Sequence, residues 1–398
     1  MNKISSTLKC QMIIDERKKQ GLEVFNFGLG ANPLKPNEKY IKSLKLYCDK
    51  NEYTSPFGID GLQECIKHIM DVENYEIDKI LFGNGLKELI YVLQSAFNGI
   101  IVNITPAWIS YKGQLKILGK LGSLREFQTT FENGYKIDCN AFDNFLRKIR
   151  NENLDSNIMI IFNNPCNPTG VVYTENEVKN IATICKNNRT IVFADEIYMN
   201  LVYNIKTCSI AKYYPEGVIR GSSLSKDIGC GGHRLGWLTF PKELEELMFS
   251  CNSMISTMFS CPSTPFQYAI LDFFNGYNIY VLDDICKNTK MIFGKIIKDV
   301  DMLLNKTKIK YIYPGFAWYI FLNFENYRNE LEKNGISNSE ELVNYFMGDG
   351  IICVSGSGFD CNELSCRLSL VDIKYNDNVV EHSNIIKGIK KIIELINF

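Results

Sequence analysis

Between Lys79 and Pro241 the chain alternates two patterns: a short apolar run rich in β-branched residues, then a stretch with apolar residues on one helical face. The runs fall at 80–82, 100–104, 124–127, 158–162, 190–194, 218–222 and 236–240. Several are apolar at every position rather than every second one, the pattern of a strand covered on both faces. Leu86, Leu89, Ile90, Leu93 and Phe97 form one helical stripe. Val178, Ile181, Ala182 and Cys185 form another, with Thr174 as its N-cap. This alternation predicts an α/β layer around a mostly parallel sheet, with chemistry at the carboxyl ends of the strands.

The last hundred residues read differently. Strand patterns at 311–313, 317–324, 351–354 and 366–370 mix with helical ones at 339–347 and 384–396. A chain of 398 residues exceeds one ordinary core, so a second, smaller α+β unit is expected. The formal net charge of −1 sets up no field for nucleic acid or an anionic membrane. No window is long and apolar enough to span a bilayer. Fourteen cysteines are scattered without a C-x-x-C pair, and His68, His233 and His382 lie far apart, so no metal site is expected. With no leader-like N-terminus, the cysteines read as reduced thiols of a cytoplasmic protein.

Chemistry concentrates in three places. Lys226, in Ser222-Ser223-Leu224-Ser225-Lys226, follows a predicted strand end and precedes Gly229, Gly231, Gly232 and Arg234. A lysine that bonds a carbonyl must lose its proton, and a partly buried position near a second cation such as Arg234 favours that. Ser223, Ser225 and Arg234 together suit a phosphate. Asp195 ends the apolar run before Glu196-Ile197-Tyr198, where a carboxylate can partner a protonated ring nitrogen. The segment Asn163-Asn164-Pro165-Cys166-Asn167-Pro168-Thr169-Gly170 follows a further run. Taken singly these read as a surface lysine, a helix-capping carboxylate and a turn-rich loop.

Together they do not. N-P-x-N-P-T-G resembles the signature loop of the class I/II aminotransferases, and six fixed residues match by chance in about one chain in 100,000. D-E-I-Y, S-x-S-K and R-L-G elements follow in that family's order. The resemblance runs from about Phe27 to Leu370. It implies the pyridoxal-phosphate (PLP) fold type I: a large domain with a mostly parallel seven-stranded sheet, over 45–285, and a smaller α+β domain from 1–44 plus 286–398. It also implies PLP as cofactor, an L-amino acid and a 2-oxo acid as substrates, and a homodimer with shared active sites. Carried over by position, Lys226 is the Schiff-base lysine, Asp195 the ring-nitrogen partner, and Tyr198 and Asn167 the groups at the phenolic oxygen. Trp108 is the stacking aromatic. Gly85, Leu86 and Lys87 form a phosphate cradle at a helix start, with Ser223, Ser225 and Arg234 as further phosphate ligands. Tyr53 reaches the neighbouring subunit's phosphate. Arg367 and Asn167 hold the substrate carboxylate, and Gly30 lies in the loop that closes over it.

Some dicarboxylate-specific members carry an arginine where this chain has Ser256, so aspartate and glutamate are not the expected donors. His233 and the cysteines Cys166 and Cys230, beside the site in sequence, read as structural. The expected reaction is amino transfer, with Lys226 as proton shuttle. β-Elimination, decarboxylation and cyclising synthesis use the same lysine, aspartate and arginine and stay open. A PLP-binding regulator would need a DNA-binding segment, and no basic helix-turn-helix pattern precedes residue 30.

Overall fold

The unbroken apolar character of each run follows from how it divides its side chains between two cores. In the computed structural model, which describes residues 6–274, 280–376 and 379–397, the strand Ile158–Asn163 sends Ile158, Ile160 and Phe162 into one core and Met159 and Ile161 into another. Both cores are apolar, so the whole run is apolar.

The strands, in chain order, are β1 (Phe25–Asn26), β2 (Lys79–Gly83), β3 (Ile100–Thr105), β4 (Leu124–Gln128), β5 (Ile158–Asn163), β6 (Ile191–Asp195), β7 (Val218–Ser223) and β8 (Gly236–Phe240). After these come β9 (Lys310–Tyr311), β10 (Tyr319–Asn323), β11 (Ile351–Ile352), β12 (Val354–Ser355), β13 (Ser365–Ser369), β14 (Lys374–Asn376) and β15 (Val379–Glu381). Strands β2 to β8 form one seven-stranded sheet in the order β2-β8-β7-β6-β5-β3-β4. Pairings β3–β4, β3–β5, β5–β6 and β6–β7 are parallel, and β8 runs against both its neighbours. The seven runs read from the sequence are these seven strands. The helix Glu175–Asn187 opens with a reciprocal cap: Thr174 N donates to Glu177 and Glu177 N to Thr174 Oγ1.

A second sheet, β12-β13-β10-β9, is antiparallel. β1 joins β11 in parallel, and Phe27 continues the pairing through Ile352 and Ser369. The N-terminal segment is therefore sewn to the C-terminal part of the chain. The helix Glu38–Leu46 packs instead on Thr264–Phe274, beneath the large sheet. The domain limits expected from sequence, 44/45 and 285/286, fall inside the helices Glu38–Leu46 and Tyr280–Leu304, while residues 1–5, 275–279, 377–378 and 398 lie outside the described residues.

One buried ion pair ties β6 to β7. Arg220 Nε meets Glu196 Oε2 at 2.8 Å, Ser209 Oγ donates to Glu196 Oε1 at 2.5 Å, and Arg220 Nη1 donates to the Met70 carbonyl. Breaking such a pair strands a buried charge. Arg220→Met is expected to cost about 3–5 kcal/mol in urea unfolding, and adding Glu196→Leu to recover most of it. A single variant as stable as the parent would show that the pair does not hold the sheet.

Candidate active site

The carboxyl ends of β2, β3, β5, β6 and β7 deliver the site. Gly30, Leu86, Lys87, Trp108, Asn167, Asp195, Tyr198, Ser223, Ser225, Lys226, Arg234 and Arg367 all line one cleft of about 620 Å³. Gly85 lies directly behind Arg234. Tyr53 is 88% exposed and is not part of the cleft wall of its own chain.

Asp195 ends β6 and is buried. Its Oδ2 accepts from Tyr111 Oη at 2.6 Å, and Oδ1 accepts from Ile197 N at 3.3 Å. Burial raises its pKa to about 6, against the lowering pull of the Tyr111 hydroxyl. Asn163, at the end of β5, donates to the Asp195 carbonyl at 2.9 Å and accepts from Asn167 N at 2.9 Å. The turn-rich loop is thereby held against β6.

Lys226 Nζ donates to the Gly30 carbonyl and stands 5.7 Å from the centre of the Tyr198 ring. Asn32 Nδ2 donates to Lys226 O at 2.8 Å, a second tie between the N-terminal loop and this lysine. Tyr319 Oη donates to Gly30 O at 3.0 Å and lies 2.8 Å from Tyr198 Oη. Since Tyr319 has one proton, Tyr198 donates within that pair. Burial pushes the Tyr198 hydroxyl far above the ordinary range, with Tyr319 adding to it, so Tyr198 is a neutral donor.

Arg367 is fully buried between the rings of Tyr319 and Phe359, each about 5 Å from its guanidinium carbon. Nη1 donates to Asn167 Oδ1 at 3.1 Å and Nη2 to the Gly28 carbonyl at 2.5 Å, while Nε has no partner among the described residues. Desolvation draws its pKa below the ordinary arginine value. An unmet buried N–H on a charged group is the donor a carboxylate would satisfy.

The opposite end suits a phosphate. Ser225 N and Ser225 Oγ meet Ser223 Oγ at 3.2 and 3.0 Å, and Arg234 spans the carbonyls of Gly231 and Asn84 at 2.8 and 2.7 Å. Gly85, at φ +85°, caps the helix Leu86–Ala96, and a Cβ there would overlap the Arg234 guanidinium. A Cβ on Gly236 would strike Leu86 N. The chain thus packs two glycines to bring a helix N-terminus and an arginine together, a donor set that fits the phosphate of PLP. Asp195 and the half-buried Trp108 fit its ring nitrogen and ring face.

The sequence reading did not single out Tyr111, Asn163 or Tyr319. Tyr111 follows Trp108 by three residues, and Asn163 immediately precedes the signature loop, so both carried a local signal. Tyr319 lies inside an apolar strand and carried none. His233 hydrogen-bonds Tyr40 at 2.8 Å, stacks on Phe266 and does not line the cleft. Ser256 lies on an exposed helix face. Among the described residues no cluster of three or more metal-ligating side chains occurs, and no helix is long and apolar enough to cross a membrane.

The chain is similar to known proteins along nearly its whole length. The chain is 26% identical to the aspartate aminotransferase of Bacillus sp. (strain YM-2) over 89% of each chain. It is 24% identical to that of Sulfolobus acidocaldarius, over 96% of this chain and 92% of the other. Its structure is similar to the aspartate aminotransferase of Thermus thermophilus solved with maleate: TM-score 0.85, 19% identity, 99% of this chain and 97% of that one. The family model described as aminotransferase class I and II matches residues 23–382. With that match spanning nearly its whole length, the chain belongs to the class I and II aminotransferases, enzymes that depend on PLP.

Proposed function

We propose that Lys226 is the residue that bonds the cofactor and then shuttles the proton in amino transfer between an L-amino acid and a 2-oxo acid. The observation that carries this is the meeting of Lys226, Asp195, Tyr198 and Arg367, from three separate parts of the chain, in one cleft. PLP supplies an aldehyde that binds amino groups and a ring that withdraws electrons. The chain supplies the rest. Asp195, as a buried anion, favours a protonated ring nitrogen. Tyr198 and Asn167 donate hydrogen bonds to the phenolic oxygen. Ser223, Ser225, Arg234 and the helix start at Gly85, Leu86 and Lys87 take the phosphate, and Trp108 covers the ring. Arg367 turns from Gly28 and Asn167 to the substrate α-carboxylate. With the substrate so fixed, Lys226 Nζ removes the α-proton and returns one at the neighbouring carbon.

Two structural readings belong to the same proposal. Tyr53, exposed in one chain, serves the cleft of a second copy in a homodimer. The seven-stranded sheet β2–β8 and the four-stranded sheet β12-β13-β10-β9 are the cores of a large domain, 45–285, and a small one, 1–44 plus 286–398.

The test is transfer itself. The PLP-loaded protein is mixed with single L-amino acids, and the spectrum and products are followed. Conversion of the bound cofactor to its amine form, reversed by a 2-oxo acid, is expected. Release of pyruvate or carbon dioxide with no acceptor present would replace transfer with elimination or decarboxylation.

A further inference from the structure

The proposed mechanism places Lys226 and Tyr198 on two separate connections. β6 and β7 run in parallel, and a bond from Glu196 N to the Gly221 carbonyl, at 3.0 Å, closes the ladder between them. Past it, Tyr198 follows on one connection and Lys226 on the other. Such connections are more mobile than the strands they leave. Yet one must aim a hydroxyl and the other an amine at a single cofactor, and an error of about 1 Å in such placement can cost about 100-fold in rate.

Asp227 ties the two together. It follows Lys226 directly, is 2% exposed and does not line the cleft. Its Oδ2 accepts from Asn200 Nδ2 at 2.9 Å, while Oδ1 has no partner among the described residues. A buried carboxyl oxygen without a partner costs stability, so the core around it gives no reason for this side chain. Asn200 belongs to the turn Met199–Leu201, which begins directly after Tyr198. That segment is anchored in its own right: Ala317 N donates to the Leu201 carbonyl at 3.1 Å, and Tyr203 N to the Gly315 carbonyl at 2.9 Å. Asn32 holds the Lys226 carbonyl from the N-terminal loop. The backbone at Lys226 and Asp227 is thus gripped by two asparagines, one from each side of the chain.

We infer that Asp227 is a positioning residue: through Asn200 it fixes the spacing between Tyr198 and Lys226, and so between the hydrogen bond at the phenolic oxygen and the nitrogen that moves the proton. This rests on the roles assigned above to Lys226 and Tyr198.

The test uses the PLP-loaded enzyme and Asn200→Ala, which alters no charge and sits at an exposed position. Three quantities are measured: kcat and KM with the L-amino acid that transfers fastest, and the pH midpoint of the visible absorption of the lysine-bonded cofactor. A hydrogen bond from Tyr198 draws on the charge of the phenolic oxygen and weakens that oxygen's hold on the proton beside it. Slackening the bond is expected to raise the midpoint by about 0.5 or more. The kcat is expected to fall about tenfold. KM should stay within about twofold, because Arg367, bonded to Asn167 and Gly28, takes no part in the tie. Asp227→Ala should do the same, and the two changes together no more than either alone. Exchanging the partners, Asn200→Asp with Asp227→Asn, reverses donor and acceptor and should return midpoint and kcat close to the parent. Should Asp227→Ala fail to fold, Asn200→Ala and the exchange decide alone. A parental midpoint and kcat in Asn200→Ala, losses that add in the double variant, or an exchange no better than Asp227→Asn by itself would overturn the inference. A parent that shows the visible band and transfers amino groups confines that failure to the tie. A parent without the band, given excess PLP, would remove the role of Lys226 first.

Discussion

Lys226→Ala is expected to reduce amino transfer by at least about 10⁴-fold, because in the proposed mechanism the same nitrogen bonds the cofactor and moves the substrate proton. The fold should survive. Lys226 is half-buried, and its side-chain bond ends on the carbonyl of Gly30, which keeps Tyr319 as a second donor. Far-ultraviolet circular dichroism should match the parent. The phosphate end does not use this lysine, so the variant should still hold PLP through Ser223, Ser225 and Arg234, without the visible absorption of a lysine-bonded cofactor. Added methylamine, a small base able to enter the cleft, should restore part of the rate in proportion to its concentration. Full activity in the variant would move the proton chemistry to another residue.

Asp195→Asn should move activity and stability in opposite directions. Activity should fall by at least about 10³-fold, near 4 kcal/mol, as the ring nitrogen loses its anionic partner. Stability of the apo-protein should rise. Burial holds the Asp195 pKa at about 6, whereas an unfolded aspartate titrates near 3.9. Between those values the folded state binds the extra proton. Stability from this group is therefore full below about pH 4, falls as pH climbs to about 6, and stays lost above it. The loss is on the order of 3 kcal/mol. An asparagine carries no such penalty and still accepts from Tyr111. The parent and Asp195→Asn should unfold at similar urea concentrations at pH 4 and diverge by pH 8, with the variant ahead. Parallel profiles would mean that the carboxylate is better solvated than its position at the end of β6 implies.

Much of this site could be read from the chain because its parts are local. Each strand end carries its own residue: Asp195 after β6, Asn167 in the loop after β5, and Lys226 after β7. Order along the sheet is another matter. Tyr111 reaches Asp195 only because β3 and β6 both flank β5, and no period within a segment reveals that neighbour relation. Tyr319 was hidden for a related reason. Its strand is buried throughout, so a tyrosine there resembles any other core aromatic until Gly30 and Tyr198 arrive from elsewhere. The helix Glu245–Met258 escaped the sequence reading because Phe249 and Met258, both about half exposed, blur the stripe made by Met248, Cys251 and Ile255.

The pairing of β1 with β11, and of Gly28 with Arg367, bears on how the chain is made. Gly28 and Arg367 are 339 residues apart, among the longest-range contacts a chain of this length can form. Contacts of that separation form late and slow folding. On the ribosome, the seven strands of the large sheet emerge while the segment around Gly30 still lacks its β11 and β13 partners. A nascent chain at that stage presents Lys226 and Asp195 with no Arg367 beside them. Its apolar residues Phe25 and Phe27 also stay uncovered until Ile351, Ile352 and Ser369 have been made. The contact of Gly28 with Arg367 is thus among the last parts of the cleft to be completed as the polypeptide grows.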